Sequence, residues 1–336
     1  MLAAIFKGNE EIEIVDKEMP VAGPDDVLIK VSYCGLCGSD KRLFYQGSAI
    51  VPGHEISGVI VQSGANVSLK AGTKAIIYIP LFCGKCVECR TGNNNRCPNI
   101  NGLVGWQLPG GYEEYLVVPA RNVIPLPPDI SLDEGVLLLD TIGTPAHGIR
   151  LCSKCVGHPA TGKAAIIGCG PLGLGSMLVL QAMGCQEIYA YDVAEDRLGL
   201  AISLGARPLP LPAQNQEATF PLIIEATGNE RGRQLALDLV KAGGAVLLLG
   251  ESNNPWIIKP SPKLRRKDCF YIRSFYFPLN EVDDNFKIFR EKRDSFKKLI
   301  SKVGSLLDIE TMHKEFCAGK TIKPLIKLET VMHEVK

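Results

Sequence analysis

The stretch AAIIGCGPLGLGSMLVLQAM at residues 164–183 joins an apolar run of strand length to a segment of helical period through the pattern Gly-x-Gly-x-x-Gly. The first glycine permits a tight turn, the second lets the backbone approach a pyrophosphate, and the third allows the helix to pack closely on the strand. The N-terminus of the helix then faces the phosphates. The stretch therefore predicts a dinucleotide site, with the candidate residues Gly168, Gly170, Pro171, Leu172 and Gly173.

The next apolar segment, EIYAYD at residues 187–192, supplies a second strand. It ends in Asp192, about 20 residues beyond the last glycine of the pattern, where a carboxylate holds the ribose hydroxyls of NAD. An acidic group at that position repels a 2′-phosphate, so we expect NAD in preference to NADP. Arg197, in the segment that follows, keeps NADP open as the alternative.

Further along the chain, apolar strands alternate with segments of helical period, which is the pattern of a doubly wound parallel sheet. The strands are expected at LIIEAT (222–227), AVLLLG (245–250) and YIRSFYF (271–277). The helices are expected at 172–183, 195–204, 230–241 and 283–302. The Pro-rich segment 207–216 cannot hold a helix, so we expect a loop there.

Upstream of the glycine pattern, the chain before Asp140 contains short β-rich segments separated by Gly, Pro, Asn and Asp turns. These segments are EIEIVD (11–16), DVLIKVSYC (26–34), SGVIVQSG (57–64), KAIIYIP (74–80) and EYLVVPA (114–120). A length of 336 residues suits two domains. We therefore expect an α/β protein with a β-rich part and a parallel-sheet part.

Composition and charge exclude several classes of function. Lys and Arg number 37 against 36 Asp and Glu, so the chain has no net field to hold nucleic acid or an anionic membrane. The N-terminus lacks the basic start and apolar core of a signal peptide, and no run reaches the roughly 20 apolar residues of a membrane span. We expect a cytoplasmic protein whose partner is a small molecule.

One Gly- and Asn-rich stretch carries four cysteines at metal-ligand spacing: Cys83, Cys86, Cys89 and Cys97. Four thiolates suit a closed tetrahedral zinc site, which has no open position and is therefore structural. A zinc ribbon that binds nucleic acid is the rival interpretation. It requires more positive charge than the three basic residues around these ligands supply.

A second group of ligand types points to an open metal site. Cys37 and His54 offer a thiolate and an imidazole, and catalytic zinc takes three protein ligands while its fourth position stays free. The best third candidate is Asp140, a carboxylate that ends an apolar run, where burial without a cation would be costly. Glu55, next to His54, is the competing ligand or a partner that orients a ligand.

Together these residues resemble the zinc-containing medium-chain dehydrogenase/reductase family, which includes alcohol, sorbitol and threonine dehydrogenases. The resemblance runs almost end to end through GLCGSD (35–40), VPGHEISGVIVQSG (51–64), the four cysteines, GGYEEYLVVPA (110–120), DTIGTPAHG (140–148), the glycine pattern, LGA (204–206), EATG (225–228) and LLLG (247–250). It implies a GroES-like catalytic domain split around a Rossmann domain, with bounds 1–142, 143–282 and 283–336. It also implies a homodimer or homotetramer with two zinc ions per chain, one catalytic and one structural.

The reaction implied by the resemblance is hydride transfer between NAD and a primary or secondary alcohol, such as a polyol, a sugar-derived alcohol or an amino alcohol. Zinc held by Cys37, His54 and Asp140 would lower the pKa of the alcohol, and Ser39 would take its proton. Many relatives continue the proton relay with a histidine three residues after that serine. This chain has Arg42 there, and arginine cannot shuttle a proton at neutral pH.

The sequence allows two roles for Arg42 and two functions for the chain. Arg42 either binds an anionic group of the substrate or makes a plain contact with solvent or a cofactor phosphate. A catalytically retired scaffold or binding protein that keeps the fold is the alternative to an active enzyme, although the intact ligand types argue against it.

Overall fold

The computed structural model describes residues 1–158, 162–210, 219–258, 261–262 and 264–328. The chain forms two compact units, one of Met1–Leu139 with Ile300–Lys336 and the other of Asp140–Leu299. The predicted C-terminal return began at residue 283, whereas the structure places residues up to Leu299 in the second unit.

The strands range from two to ten residues in length. They are β1 (Leu2–Gly8), β2 (Glu11–Asp16), β3 (Asp26–Gly35), β4 (Glu55–Ser63), β5 (Lys74–Ile77), β6 (Tyr115–Pro119), β7 (Val123–Pro125), β8 (Lys163–Ile167), β9 (Glu187–Tyr191), β10 (Arg207–Pro208), β11 (Phe220–Glu225), β12 (Val240–Leu248), β13 (Phe270–Arg273), β14 (Ile300–Ser305) and β15 (Lys323–Lys327).

Most helices lie in the second unit. In chain order they are α1 (Lys41–Gln46), α2 (Val87–Arg90), α3 (Leu132–Leu137), α4 (Thr144–Val156), α5 (Pro171–Ala182), α6 (Glu195–Ser203), α7 (Glu230–Leu239), α8 (Val282–Glu291), α9 (Arg293–Lys297) and α10 (Ile309–Cys317). Among the residues described, none of these helices is both long and apolar enough to cross a bilayer.

The first unit is built on a mainly antiparallel sheet in the order β14-β15-β3-β4-β5-β7, with β6 also paired to β3 and with β1 and β2 forming a separate hairpin. Every β-rich segment predicted before Asp140 forms a strand. The strands β14 and β15 were not predicted. β14 and β15 pair with each other in parallel, and β15 also pairs with β3. Because β3 lies near the opposite end of the sequence, no local sequence pattern predicts these two strands.

The second unit is a parallel sheet in the order β10-β9-β8-β11-β12-β13. Since β8 is the first strand of this unit, the order reverses between β8 and β11, which is the switch point where doubly wound sheets bind dinucleotides. The buried apolar strands are covered by helices, as parallel sheets require. The predicted α/β fold, with a β-rich part and a doubly wound part, is confirmed.

Two sequence predictions need correction. The helix expected over 283–302 is wrong in its length: it breaks at Lys292 into α8 and α9, and the chain is already extended at Ile300. The extended form allows β14 to pair with β15, which a charged helical pattern does not reveal. Of the expected loop at 207–216, Arg207–Pro208 instead forms the edge strand β10, and residues 211–216 lie outside the described ranges.

Candidate active site

Four side chains of metal-ligand type meet at one edge of the β-rich unit. One ligand atom from each of Cys37, His54, Glu55 and Asp140 lies within 4.8 Å of the others. The sheet register produces this meeting, because Gly35 at the end of β3 pairs with Glu55 at the start of β4. Cys37, which follows β3, and His54, which precedes β4, are therefore neighbours.

Asp140 lies in a wide helical turn of π type, Leu138–Gly143, between α3 and α4. The hydroxyl of Thr144 donates to Asp140 Oδ1 at 3.2 Å. Turns of this kind are frequent at functional sites because they redirect single side chains.

The carboxylate of Asp40 orients His54. His54 Nδ1 lies 3.2 Å from Asp40 Oδ1, so Nε2 is the ring nitrogen left for a metal. The other oxygen, Oδ2, accepts hydrogen bonds from the Cys37 backbone at 3.1 Å and the Tyr112 hydroxyl at 2.9 Å. Burial acts to raise the pKa of Asp40, but the charge and hydrogen bond of His54 outweigh it and lower the pKa. Asp40 therefore stays ionised, although the sequence reasoning had not singled it out.

A buried ion pair engages Glu55. Lys323 Nζ lies 2.5 Å from Glu55 Oε1 and also donates to the Leu36 carbonyl at 3.2 Å. Both side chains are almost completely buried. Removing one partner of such a pair would leave an uncompensated charge in the interior, which is strongly destabilising. Lys323 was missed because it lies in the C-terminal strand, 268 residues from Glu55.

The donor set fits zinc. Thiolate sulfur, imidazole nitrogen and carboxylate oxygen are its usual protein ligands at about 2.0–2.3 Å, so ligand atoms around a tetrahedral ion lie roughly 3.3–3.8 Å apart. A group whose atoms all lie within 4.8 Å needs only small side-chain movements to reach that geometry. Three of the four residues are buried and Asp140 is half-buried.

Ser39 and Arg42 lie on the short helical segment that follows Cys37. Ser39 is half-buried in the turn Gly38–Asp40, and the residue that precedes α1 is Asp40, so Ser39 does not serve as the cap of that helix. The guanidinium of Arg42 lies over the ring of Trp106, with 5.1 Å between its carbon and the ring centroid. The Trp106 ring in turn lies 5.5 Å from the ring of His54.

A second buried histidine, His313 on α10, packs among aromatic rings. Its ring centroid lies 5.0 Å from that of Phe6, 5.2 Å from that of Phe44 and 5.7 Å from that of Tyr112. Neither ring nitrogen has a hydrogen-bond partner among the described residues. Burial lowers the pKa of His313 to about 4, although the charge of Asp40 acts in the opposite direction. The ring is therefore neutral at physiological pH.

This depressed pKa predicts acid sensitivity. As the pH falls below about 6.5, the unfolded chain takes up a proton that the folded chain does not bind until about pH 4, so folding stability decreases across that window. Between pH 7 and pH 5 the wild type should lose about 2 kcal/mol more unfolding free energy than His313→Leu. Urea unfolding of both proteins at several pH values measures this difference. Parallel stability curves for the two proteins would contradict it.

The four predicted structural ligands form a compact cluster. Sulfur–sulfur distances are 3.4 Å for Cys86 and Cys89, 3.8 Å for Cys86 and Cys97, and 3.9 Å for Cys83 and Cys89. Four thiolates around a tetrahedral zinc at about 2.3 Å lie about 3.8 Å apart. The structure therefore brings together all four cysteines at distances that suit one closed site.

Backbone donors favour a thiolate in this cluster. Amide groups of Lys85 and Cys86 lower the pKa of Cys83 to about 6, so this sulfur is ionised at neutral pH. Burial raises the pKa of Cys89 to about 12 in the absence of a cation. A divalent ion supplies the positive charge that allows several neighbouring thiols to ionise together.

The glycine pattern of the second unit takes the predicted strand–turn–helix form between β8 and α5. A methyl group added at Gly173 would lie 1.8 Å from the carbonyl oxygen of Gly168, so only glycine fits this contact. The same addition at Gly170 meets nothing within 4 Å. Gly170 therefore borders open space directly before Pro171, the first residue of α5. A pyrophosphate that approaches the helix N-terminus fits this arrangement.

Asp192 follows β9 beside this turn. Its Oδ2 accepts a hydrogen bond from the Cys169 backbone at 2.6 Å, and its Oδ1 accepts one from Ala194 at 2.8 Å. Arg197 on α6 is half-buried, and its Nε has no hydrogen-bond partner among the described residues. Its charge acts on Cys169, whose pKa rises to about 12 through burial and the nearby Asp192. The glycine turn and Asp192 therefore lie together, and Arg197 follows on α6.

Comparison with known proteins identifies the family of the chain. Residues 23–128 match the alcohol dehydrogenase GroES-like domain. The chain is 32% identical to an L-threonine 3-dehydrogenase of Caldanaerobacter subterraneus over 76% of this chain and 77% of that protein. It is 28% identical to a probable D-xylulose reductase A of Neosartorya fischeri over 97% and 96% of the two chains.

A solved structure shows the same architecture over almost the whole chain. The alcohol dehydrogenase TADH from Thermus sp. ATN1 superposes with a TM-score of 0.88 at 26% identity, covering 98% of this chain and 100% of that one. The predicted family resemblance is confirmed. The chain belongs to the zinc-type medium-chain dehydrogenase/reductase family, that is, to the NAD(P)-linked oxidoreductases that act on CH–OH groups.

Proposed function

We propose that this protein is a zinc-dependent, NAD-linked dehydrogenase that interconverts a primary or secondary alcohol of the polyol, sugar-derived or amino-alcohol type with its carbonyl compound. The convergence of a thiol, an imidazole and a carboxylate at one buried edge of the sheet carries this proposal. The relatives named above, a threonine dehydrogenase, a xylulose reductase and an alcohol dehydrogenase, support a small hydroxylated substrate.

Cys37, His54 and Asp140 are the proposed ligands of the catalytic zinc. Glu55 is the less suitable third ligand, because Lys323 already engages one of its carboxylate oxygens in a buried ion pair. Asp140 is half-buried, accepts a hydrogen bond from the Thr144 hydroxyl at 3.2 Å, and places a carboxylate oxygen within 4.8 Å of the ligand atoms of Cys37 and His54. We assign Glu55 the role of a charged neighbour that tunes the site. The cysteine cluster is the proposed second, structural zinc site.

When bound, the zinc ion supplies a Lewis acid that lowers the pKa of the substrate hydroxyl. Asp40 fixes the orientation of His54, and the buried Asp40–Tyr112 hydrogen bond keeps that carboxylate in place. Ser39, two residues after Cys37, is the proposed acceptor of the hydroxyl proton. Because Arg42 cannot relay this proton further, we propose that it leaves Ser39 through water.

The second unit provides the proposed dinucleotide site. Gly168, Gly170 and Gly173 shape the phosphate turn, and Pro171 and Leu172 begin the helix whose N-terminus faces the phosphates. NAD is the redox partner of the alcohol, and Asp192 favours it over NADP through repulsion of a 2′-phosphate. The half-buried Arg197 is the residue that would have to reach such a phosphate if NADP were used.

We further propose a cytoplasmic homodimer or homotetramer. None of the twelve cysteines forms a disulfide, which suits a reducing compartment. Light scattering on the purified protein determines the subunit number.

The direct test is formation of NADH by the purified, zinc-replete protein on a panel of a polyol, a β-hydroxy amino acid and a simple secondary alcohol, with NAD and NADP compared. We expect oxidation of at least one class, with a higher kcat/KM for NAD. Bound zinc without turnover of any class in either direction would instead favour a retired scaffold. A higher kcat/KM with NADP than with NAD would overturn the proposed role of Asp192 and favour a contact between Arg197 and the 2′-phosphate.

A further inference from the structure

Arg42, Trp106 and His54 form a consecutive series of contacts that leads outward from the proposed metal ligands. The ring of Trp106 lies 5.5 Å from that of His54 at an angle of 36°. The guanidinium of Arg42 lies over the same Trp106 ring at 5.1 Å. The series therefore connects a positive charge to the site where the alcohol is proposed to react.

The loop that carries Trp106 is fixed against His54. A methyl group at Gly105 would lie 2.4 Å from the Gly53 carbonyl oxygen, and one at Gly110 would lie 2.2 Å from it. The loop backbone thus packs directly on the residue before His54. Trp106 is half-buried, so it presents a fixed aromatic surface beside the metal ligands.

In the described part of the chain, the partner of the Arg42 guanidinium is the ring of Trp106. Arg42 is exposed and contacts the Trp106 ring, and within the described part of the chain no acidic oxygen lies within 4.0 Å of its guanidinium. Its neighbour Lys41 differs, because its Nζ lies 3.5 Å from the Cys317 carbonyl and 5.5 Å from the Phe316 ring centroid. A guanidinium presents five N–H donors in a planar fork that matches carboxylate and phosphate groups.

Resting on the proposed dehydrogenase function, we propose that Arg42 is a specificity-determining residue that binds an oxyanion at the end of the substrate remote from the reacting carbinol. The substrate class is then a hydroxylated carbon chain that ends in a carboxylate or a phosphate. The ring of Trp106 lies against the intervening carbons and holds the guanidinium in place by a cation–π contact. Arginine at this position thus replaces a proton-relay group with an anchor for the substrate.

The test compares three matched substrates: galactitol, galactonate and galactitol 1-phosphate. Wild type, Arg42→Met, Arg42→Lys and the control Lys41→Met are assayed as full-length, zinc-replete proteins. The two methionine variants remove one positive charge from adjacent positions of α1, and only the first removes the contact with Trp106. Galactitol is neutral, so its kcat/KM reports on the reaction without a contact between Arg42 and an anion. Galactonate and galactitol 1-phosphate show whether Arg42 binds a carboxylate or a phosphate.

In the wild type we expect kcat/KM at least about tenfold higher for one anion than for galactitol. Arg42→Met should reduce that value by about 10- to 100-fold, mainly through KM, because a charge-assisted bidentate contact is lost. Arg42→Met should change kcat/KM for galactitol less than about threefold. Arg42→Lys should retain part of the kcat/KM for the anion that Arg42→Met loses. The kcat/KM values of Lys41→Met should resemble those of the wild type. A wild type that prefers galactitol, or an equal loss for all three compounds in Arg42→Met, overturns the proposal.

A binding measurement separates this proposal from the proposed function. The two tryptophans are Trp106 and Trp256, so a Trp256→Phe background reports on Trp106 alone. Galactonate or galactitol 1-phosphate should quench this fluorescence in the wild-type background and not in Arg42→Met. If none of the three compounds is oxidised, the quenching result alone decides whether Arg42 binds an oxyanion, while the proposed function is decided by the wider panel of alcohols described above.

Discussion

Replacement of Cys37 by alanine is expected to lower kcat/KM for the alcohol by at least about a thousandfold, because the open metal site loses its thiolate and with it several kcal/mol of charge stabilisation. The remaining imidazole and carboxylate bind a divalent ion much more weakly than the complete set. Steady-state formation of NADH at saturating NAD measures the effect. The fold should persist, because Cys37 lies in the turn after β3 and not within a strand of the sheet.

Cys34 provides the matched control for this prediction. It is a fully buried cysteine on β3, three residues before Cys37, and it is outside the ligand group. Its side chain packs as a small apolar group, so Cys34→Ala should cost only modest stability and leave the catalytic zinc in place. If Cys34→Ala and Cys37→Ala lost activity to the same extent, the loss would reflect general damage to β3 and not removal of a ligand.

The second large effect is expected at Gly173. The added methyl group of Gly173→Ala would lie 1.8 Å from the Gly168 carbonyl, a distance at which the turn between β8 and α5 must open. We expect the unfolding free energy to fall by at least about 3 kcal/mol and NAD affinity to fall by more than about a hundredfold, because overpacking moves the backbone that faces the phosphates. Thermal unfolding and fluorescence titration with NADH measure the two effects.

Substitutions at two other glycines, Gly170 and Gly199, distinguish an effect on folding stability from an effect on cofactor binding. Gly170→Ala introduces no contact within 4 Å and should leave the folding stability almost unchanged, yet weaken NAD about tenfold because the methyl group enters the space for the pyrophosphate. Gly199→Ala, at an exposed open position on α6, should raise stability by about 0.5–1 kcal/mol and leave NAD affinity unchanged. Unaltered NAD affinity in Gly170→Ala would contradict the proposed path of the pyrophosphate.

The sequence predicted those parts of the fold whose signals are local. The glycine turn, the strands of the doubly wound sheet and the β-rich segments before Asp140 each carry a pattern confined to a short stretch of chain. The strands β14 and β15 carry no such signal, because their partners are set by tertiary pairing. In the charged segment 283–302 a local signal is present but misleading. The helical pattern continues to residue 302, whereas the chain is extended from Ile300 onward, where β14 begins.

The candidate site also contains some residues with a local sequence signal and others whose roles depend on tertiary contacts. Ligand types at recognisable positions identified Cys37, His54, Glu55 and Asp140, which the structure brings together. The groups that orient or balance them were not identified, because their roles depend on contacts made across the fold. Asp40 acts through His54, while Lys323 reaches Glu55 from the C-terminal strand.

We propose that the chain holds two zinc ions, one of them through Cys37, His54 and Asp140. The most direct test is zinc content per chain by elemental analysis for the wild type, Asp140→Ala and Cys89→Ser. We expect two zinc ions in the wild type and about one in each variant, with turnover lost in Asp140→Ala. Two zinc ions retained in Asp140→Ala would assign the third ligand to Glu55, and one or none in the wild type would contradict the two-site account.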